Sequence, residues 1–446
     1  MGMSAPDFGP MAGVKVVHAG QALAGPFAAQ LMADYGADVL WIENALTPDM
    51  SRSGFGWTVE GERRNQRTLA LNIPTEEGRE VLLRLLADAE IFIESSKGGQ
   101  YEAWGLTDEV LWSANPKLVI VHVSGYGQHG EPGYIGRAAF DPIAQAFGCY
   151  LQLNGHPDTG AMPAMPFTAD YLTALFACSS ALAALTRSRA TGEGDSVDVA
   201  MFEVMMRVQG TSAMAWLNKG IEPRRTTPGR QHSAGMGLFR CRDDREIYVI
   251  MASAGVIRRS LQILGLDPDG EPFVAGSPFV PLDSEAGDLL NSTLGAFCSR
   301  HDAAEVDRLF NADGIPCSMV YSYDIAEADP HYKAREMFTT WTTVSGERIR
   351  GLKVVPEFAR RPGQIWRGGP SIGMDTEEVL VGIGYDASDI DRLRSAGVVA
   401  TGARVHPKRT FRIIRSARVE GVSPGTPSRS SATRPQPHQR PRSGLL

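Results

Sequence analysis

The stretch 14-VKVVHAGQALAGPFAAQLMADYGADVLWIE-43 decides the fold. Its first residues, 14–18, form a short apolar run that predicts a strand, and the small residues of 19–26 predict a loop. Pro26 suits the first turn of a helix, which we expect to reach about Tyr35, where Gly36 ends it. Asp38–Glu43 then reads as a second strand. This β-loop-α-β order predicts two parallel strands joined by a helix.

The same alternation continues along the chain. We expect helices over about 75–87 and 107–114, and strands over 91–94 and 118–124. Strands that alternate with helices indicate a parallel sheet covered on both faces, so the predicted class is α/β with a Rossmann-like sheet. The first loop carries Gly20 and Gly25 but lacks the G-x-G-x-x-G spacing, which argues against nicotinamide dinucleotide chemistry.

Changes in composition predict the domain organisation. Residues 10–220 would form the first part of a large α/β domain, and 221–335, rich in Gly and Pro, a smaller α+β domain. Residues 340–398 would then return to the large domain. Residues 401–446 are Pro/Ser/Arg-rich without apolar periodicity, so we expect a disordered tail.

Charge and composition limit the function classes. The chain has 446 residues, 43% hydrophobic and 21% charged, as in globular proteins. Its net charge is −7, but the tail holds ten Lys or Arg against one Glu, which leaves −16 for residues 1–400. A basic tail could contact nucleic acid or a membrane; an extension without function, or a shifted reading frame, is the simpler interpretation.

Other features predict a cytoplasmic protein without a metal. No apolar run approaches the roughly 18 residues of a membrane span, and the N-terminus has no secretory pattern. The five cysteines are scattered, and no pair of histidines has the H-x-x-x-H spacing. We therefore expect reduced thiols, no metal, and no nucleic-acid or membrane partner.

One acid stands out in 163-PAMPFTADYLTALF-176, where Asp170 precedes a long apolar run. A helix over about 169–187 would be apolar or small on nearly every face, so it is predicted to be buried. A lone acid there is unusual unless it is paired, caps the helix, or takes part in chemistry. Thr168 would be a good N-cap, which would place Asp170 in the first turn, where the helix dipole favours an anion.

Six spaced motifs resemble those of the family III CoA-transferases. They are 24-AGPF-27, 36-GADVLWIE-43, 69-LALN-72, 124-SGYGQHG-130, 166-PFTADY-171 and 191-TGEGDSVDVAMFE-203, the last taken as the end of the helix that follows Asp170. Within the family, the chain is most similar to the L-carnitine CoA-transferase branch. The stretches that carry this are 90-EIFIESSKG-98, 107-TDEVLW-112, 141-DPIAQAFGCYL-151, 362-PGQIWRG-368 and 373-GMDT-376.

The resemblance implies a mechanism and a set of site residues. Asp170 would be the nucleophile, forming first a mixed anhydride and then an aspartyl-CoA thioester. Lys97 would contact a phosphate of coenzyme A. The branch carries an arginine shortly afterwards, where this chain has Ala103 and Trp104, and Trp104 could stack on adenine instead. Coenzyme A would be a substrate rather than a tightly bound cofactor, and the protein an interlocked homodimer.

Several alternatives stay open from the sequence. The acceptor could be carnitine, whose quaternary ammonium Tyr171, Phe140 or Trp216 could hold by cation–π contact, or another carboxylic acid. The α-methylacyl-CoA racemases of the family carry a His in a G-H-D segment, where this chain has Phe140 in 139-AFD-141. A non-catalytic acyl-CoA-binding protein, or one that binds nucleic acid through its tail, is the rival from a different class.

Overall fold

The computed structural model describes residues 5–54, 57–158, 160–223, 225 and 233–400. The strands are β1 (Lys15–Gly20), β2 (Asp38–Glu43), β3 (Arg67–Leu71), β4 (Ile91–Ser95), β5 (Val119–Ser124), β6 (Asp195–Ala200), β7 (Met236–Arg240), β8 (Glu246–Ile250), β9 (Cys317–Met319), β10 (Phe338–Thr342), β11 (Arg348–Leu352) and β12 (Val399–Ala400).

The helices connect these strands. They are α1 (Ala24–Asp34), α2 (Ser51–Gly54), α3 (Thr58–Glu62), α4 (Glu76–Leu86), α5 (Gln100–Ala103), α6 (Asp108–Ala114), α7 (Pro132–Ile135), α8 (Asp141–Phe147), α9 (Thr168–Thr191), α10 (Met201–Arg207), α11 (Ser212–Lys219), α12 (Ala254–Ile263), α13 (Glu285–Cys298), α14 (Ala303–Ala312), α15 (Tyr323–Ala328), α16 (Pro330–Ala334), α17 (Thr376–Gly382) and α18 (Ala387–Ser395).

The first unit folds as its sequence predicts. Strand β2 has the expected bounds, and Pro26 lies in the first turn of α1 as expected. Gly36 follows the helix with φ of 97°, and a Cβ at this position would lie 1.9 Å from the carbonyl oxygen of Phe8. Glycine is therefore required where the chain turns from α1 into β2.

The central sheet has seven strands in the order β12-β3-β2-β1-β4-β5-β6. All neighbours are parallel except β12, which pairs antiparallel with β3 and so brings the C-terminal segment back to the sheet. Strands β1 to β6 have the spatial order of the Rossmann fold. The chain builds the sheet outward from β1 to β3 on one side and then from β4 to β6 on the other, so the strand order reverses between β1 and β4. Ligands of such sheets bind at the carboxyl ends of the strands beside this reversal.

Both faces of the sheet are covered, because successive apolar side chains point to opposite faces. Val16 and Ile91 belong to a core with α1 and α9, whereas Val17 and Phe92 belong to a core with α4, α17 and α18. The sheet strands are therefore apolar on both faces, which explains their nearly continuous hydrophobic runs.

Helix α9 lies in the first of these cores against α1 and β5. It is the helix in the described part of the chain that is long and apolar enough to cross a membrane, with a mean hydropathy of 1.3. Half of the most apolar 18 residues of α9 are buried inside the protein, as in a core helix. Asp170 and several threonine and serine residues interrupt the apolar residues of α9, so the sequence shows no continuous apolar run of this length.

A separate antiparallel sheet, β7-β8-β9, has its own core with α12, α13 and α14. Strands β10 and β11 form a two-stranded antiparallel sheet. The mixed α/β architecture with a second, smaller sheet is thus confirmed, whereas the domain boundaries stay a prediction. Residues 401–446 lie outside the described residues, and so does the prediction made for them.

The segment after α9 differs from expectation. The sequence was interpreted as the end of a helix up to Glu203, but Gly192 ends α9 with φ of 79°. Residues 195–200 then form β6, the edge strand beside β5. Val197 and Val199 alternate with polar residues in 195-DSVDVA-200, which is the period of a strand. This period explains why the segment forms β6 rather than the end of a helix.

Candidate active site

Asp170 lies in the first turn of α9 and is only 8% exposed. It lines a cavity of about 60 Å³. The other residues that line this cavity are largely apolar: Ala22, Leu23, Met50, Ser51, Thr58, Phe140, Asp141, Pro142 and Phe167. The carboxyl group therefore faces a largely apolar lining, against which a small apolar group fits.

The start of α9 differs from the sequence prediction. Thr168 is the first residue of the helix rather than its N-cap, and its hydroxyl donates to the carbonyl oxygen of Ala164 at 3.1 Å. Phe167 occupies the N-cap position in the left-handed conformation, with φ of 39°. Bulky residues rarely adopt this conformation, and such backbone strain concentrates at functional sites.

Asp141 caps the helix instead. Its Oδ2 accepts hydrogen bonds from the backbone N–H groups of Ala169 at 2.6 Å and of Asp170 at 3.1 Å. Its Oδ1 accepts one from Nε2 of Gln145 at 2.6 Å. Gln145 also bonds the backbone N–H and carbonyl of Ala164 at 2.8 and 2.9 Å. Asp141 thus anchors the residue whose carboxyl group faces the cavity.

Two buried carboxyl groups lie close together at this site. Burial, and then the negative charge of Asp141, raise the pKa of Asp170 from 3.8 to about 7. The helix dipole was expected to keep Asp170 ionised, but this effect is smaller than the combined cost of desolvation and like-charge repulsion. Near neutral pH the carboxyl group of Asp170 is therefore divided between its acid and its carboxylate form.

A second cavity, of about 70 Å³, opens at the carboxyl ends of the strands beside the reversal of the sheet. Trp104 lines it together with Gln21, Trp41, Ser96 and Tyr101. Its indole is partly buried against Tyr101, with ring centroids 5.1 Å apart. This is the region where a Rossmann-type sheet binds a nucleotide.

Lys97 follows β4 on the loop that leads to Trp104. Its side chain is exposed, and it directly follows Ser96, which lines the Trp104 cavity. The structure therefore brings the two predicted coenzyme residues to the same edge of the sheet.

Asp170 lines a different cavity from Trp104, but two short segments connect them. After β1, Gln21 lines the Trp104 cavity and Ala22 lines the Asp170 cavity. After β2, Asp49 lines the first and Met50 the second. An extended ligand that entered at the sheet edge would pass these segments to reach Asp170.

The three aromatic residues considered for a quaternary ammonium lie in different surroundings. Phe140 is 55% exposed and lines the Asp170 cavity. Tyr171 packs edge-on against Phe27 and donates its hydroxyl to Glu62 at 3.0 Å. Trp216 is exposed on α11. Only Phe140 among these three lines the cavity with Asp170.

Comparison with known proteins assigns the chain to a family. The profile of CoA-transferase family III matches residues 11–376. The chain belongs to CoA-transferase family III. Coenzyme A transfer is thus the general class of activity that the chain's family supports.

Solved structures agree on the fold. A CaiB/BaiF family protein from Brucella suis is 25% identical over 84% of this chain and 100% of its own, with a TM-score of 0.72. The protein Rv3272 from Mycobacterium tuberculosis is 20% identical over 85% of this chain and 100% of its own, with a TM-score of 0.73. The second likeness concerns the fold alone.

Sequence reasoning missed the role of Asp141 and Gln145. At the sequence level, 139-AFD-141 was considered for the histidine that it lacks and 141-DPIAQAFGCYL-151 for the family resemblance, and neither Asp141 nor Gln145 was given a role at the site. Asp141 accepts hydrogen bonds from Ala169 and Asp170, which lie 28 and 29 residues later in the sequence. No local sequence pattern predicts a contact over that separation.

Proposed function

We propose that this protein transfers coenzyme A between an acyl-CoA and a free carboxylic acid, with Asp170 as the covalent nucleophile. The observation that carries the proposal is a buried carboxyl group at the start of α9, in a small apolar cavity of a chain that belongs to the family III CoA-transferases. A carboxylate can carry both the acyl group and the thiol in turn, so one side chain suffices.

The proposed reaction begins when the Asp170 carboxylate attacks the thioester carbonyl of the donor. The carbon–sulfur bond breaks, coenzyme A leaves as a thiolate, and a mixed anhydride forms. The thiolate then attacks the aspartyl carbonyl and expels the donor acid, which leaves an aspartyl-CoA thioester. The acceptor carboxylate displaces the thiolate to form a second anhydride. Attack of the thiolate on the acceptor's acyl carbon regenerates Asp170.

The surroundings of Asp170 suit these intermediates. Water would hydrolyse the anhydride and end the cycle. The apolar side chains of Leu23, Phe140 and Phe167 offer water no hydrogen-bond partner, which favours transfer over hydrolysis. A pKa of about 7 keeps a large fraction of the nucleophile ionised at neutral pH. It also makes the carboxylate less stable in its free form, which favours its attack on the thioester.

Coenzyme A is proposed to lie along the edge of the sheet. Its adenine would stack on Trp104 and a phosphate would contact Lys97, both in the segment after β4. The pantetheine arm would pass Gln21 and Ala22 after β1 to reach Asp170. This placement follows from the two neighbouring cavities and from the usual ligand position of such sheets.

The proposed acceptor is L-carnitine, with crotonobetainyl-CoA or γ-butyrobetainyl-CoA as donor. Support comes from the likeness to that branch and from Phe140, whose aromatic ring lines the Asp170 cavity and can contact a quaternary ammonium. A different carboxylic acid is the alternative within the same mechanism. Phe140 also favours transfer over racemisation, because a phenyl ring cannot exchange a proton with an α-carbon.

A homodimer is part of the proposal. Large apolar side chains are exposed on three helices: Phe140, Ile143 and Phe147 near α8, Leu175 and Phe176 on α9, and Met214, Trp216 and Leu217 on α11. Large apolar side chains left exposed on neighbouring helices, as on α8 and α9, are typical of an association surface. We also propose a cytoplasmic location.

A panel of donors and acceptors tests the proposed function. Purified protein is incubated with crotonobetainyl-CoA or γ-butyrobetainyl-CoA and with L-carnitine, formate, succinate or oxalate, and exchange is followed by chromatography. We expect rapid exchange with L-carnitine and none for Asp170→Ala, which should still bind acyl-CoA. Exchange with another acid only would reject the proposed acceptor. Binding of acyl-CoA by the wild type without exchange to any acid would favour the acyl-CoA-binding alternative.

A further inference from the structure

A buried histidine joins the two ends of the segment 95–107. His122 lies on β5, and its Nδ1 is 2.8 Å from Oε1 of Glu94 near the end of β4. Its Nε2 is 2.9 Å from Oδ1 of Asp108, the first residue of α6. Glu94 and Asp108 directly flank the segment, so one imidazole ring contacts the residues at both of its ends.

The geometry requires the charged form of the ring. Both nitrogens face carboxylate oxygens, which accept hydrogen bonds, and only the imidazolium has an N–H on each side. Burial lowers the pKa of His122, but the hydrogen bonds to Asp108 and Glu94 outweigh it and raise the pKa to about 10. At neutral pH the two contacts are therefore charge-assisted hydrogen bonds, which are stronger than neutral ones.

Further contacts hold the middle of the segment. The second carboxylate oxygen of Glu94 accepts the backbone N–H of Ser96 at 2.7 Å. The backbone N–H of Gly99 donates to Oε1 of Gln128 at 3.1 Å. Tyr101 is buried and packs edge-on against Phe92 on β4. The segment is mostly loop and the four-residue helix α5, yet it is tied at its ends and near its centre.

We propose that His122 is a positioning residue that holds segment 95–107 in the shape that presents Lys97 and Trp104 to the nucleotide end of coenzyme A. This inference rests on the proposed function, which supplies coenzyme A as the ligand of the segment. His122 itself is buried beneath the segment and reaches it through Glu94 and Asp108. His122 orders the segment before the coenzyme binds. Binding then does not have to overcome the loss of conformational entropy that ordering a loop requires.

The test compares His122→Gln with a matched control. Glutamine is neutral and cannot donate a hydrogen bond from both sides of a ring. The control is His301→Gln. Nδ1 of His301 also lies near a carboxylate, that of Glu305 at 3.2 Å, but its backbone carbonyl accepts the N–H of Arg242 after β7, away from segment 95–107. Asp108→Asn is a second, milder variant, which retains the contact between Glu94 and His122 if His122→Gln fails to fold.

Three measurements are made on the full chain. Hydrogen exchange reports the order of residues 96–107 without any ligand. Calorimetry gives the Kd of free coenzyme A. Steady-state kinetics compare an acyl-CoA donor with the matching acyl-pantetheine, which lacks the nucleotide and its phosphates.

We expect His122→Gln to speed hydrogen exchange in residues 96–107 and to raise the Kd of coenzyme A by roughly tenfold, the loss typical of a charge-assisted hydrogen bond. The KM of acyl-CoA should rise with kcat nearly unchanged, and the kinetics of acyl-pantetheine should not change. Asp108→Asn should show the same pattern with a smaller increase, and His301→Gln should leave all three measurements at wild-type values.

Two results would overturn the inference. One is unchanged exchange in residues 96–107 of His122→Gln, which would mean that His122 does not order the segment. The other is an equal loss with acyl-CoA and acyl-pantetheine, which would indicate general structural damage. Failure of the proposed function looks different: a wild type that binds coenzyme A but transfers none rejects the transferase, and the Kd and hydrogen exchange still decide the role of His122. A wild type that binds no coenzyme A rejects both.

Discussion

Asp170→Asn should make the protein more stable, and increasingly so as the pH rises. The wild type must bury a carboxylate in an apolar cavity beside Asp141, and this raises the pKa of Asp170 from 3.8 to about 7. The folded protein therefore binds a proton more tightly than the unfolded chain does. The resulting penalty is absent well below pH 3.8, grows between pH 3.8 and 7, and is complete above pH 7. The amide has nearly the same volume and carries no charge, so it removes this penalty.

The size of the effect follows from the shift. A pKa unit corresponds to 1.36 kcal/mol, so the wild type loses about 4 kcal/mol of unfolding free energy at pH 8 and about 2 kcal/mol at pH 5. For a chain of 446 residues, a difference of 4 kcal/mol raises Tm by roughly 5 °C. The difference in Tm between Asp170→Asn and the wild type should therefore grow about 2.5-fold from pH 5 to pH 8.

Calorimetric melting of both proteins across pH 5 to 8, without coenzyme A, measures this directly. Asp283→Asn, a change at an exposed position, is the control and should follow the wild type at every pH. A gap that stays constant with pH would show that the carboxyl group of Asp170 has an ordinary pKa. A less stable Asp170→Asn at pH 8 would refute the argument that burial of the charge is costly.

Two further predictions concern the site and the tail. In the wild type kcat/KM should rise with pH around a midpoint of about 7, the pKa of Asp170. Asp141→Asn should lower this midpoint, because it removes the negative charge that helps to raise the pKa of Asp170. An unchanged midpoint would mean that burial alone raises this pKa. Deletion of residues 401–446 should leave exchange rates within about twofold of the wild type, since the sequence there has too few apolar residues to bury; a large loss with an unchanged melting curve of the remaining chain would contradict this.

The strands and helices around the sheet could be predicted from the sequence because each has a local cause. The alternating and continuous apolar runs of β1, β2, β4 and β5 reflect burial on both faces of the sheet. Thr75 and Thr107 begin α4 and α6 by accepting a backbone N–H in the first turn. Such patterns depend on neighbouring residues, which the sequence shows directly.

The electrostatics of the site could not be predicted in this way. The sequence placed Asp170 correctly in the first turn of a helix, but it gave the capping role to Thr168 because that residue is adjacent. Asp141 takes this role from 29 residues away, and its charge helps to reverse the expected direction of the pKa shift of Asp170. The hydrogen bonds of His122 likewise join it to Glu94 and Asp108, which are distant in sequence. These contacts depend on how α8, α9 and the strands pack.

The most direct test of the central claim is to trap the covalent intermediate. The protein is incubated with acyl-CoA, treated with borohydride or hydroxylamine during turnover, digested and analysed by mass spectrometry. Borohydride should reduce the aspartyl thioester to an alcohol, and hydroxylamine should convert it to a hydroxamate, in each case on the peptide 166-PFTADY-171 at Asp170 and nowhere else. Asp170→Asn should give no labelled peptide. A label on another residue, or exchange of coenzyme A by the wild type without any label at Asp170, would contradict the mechanism.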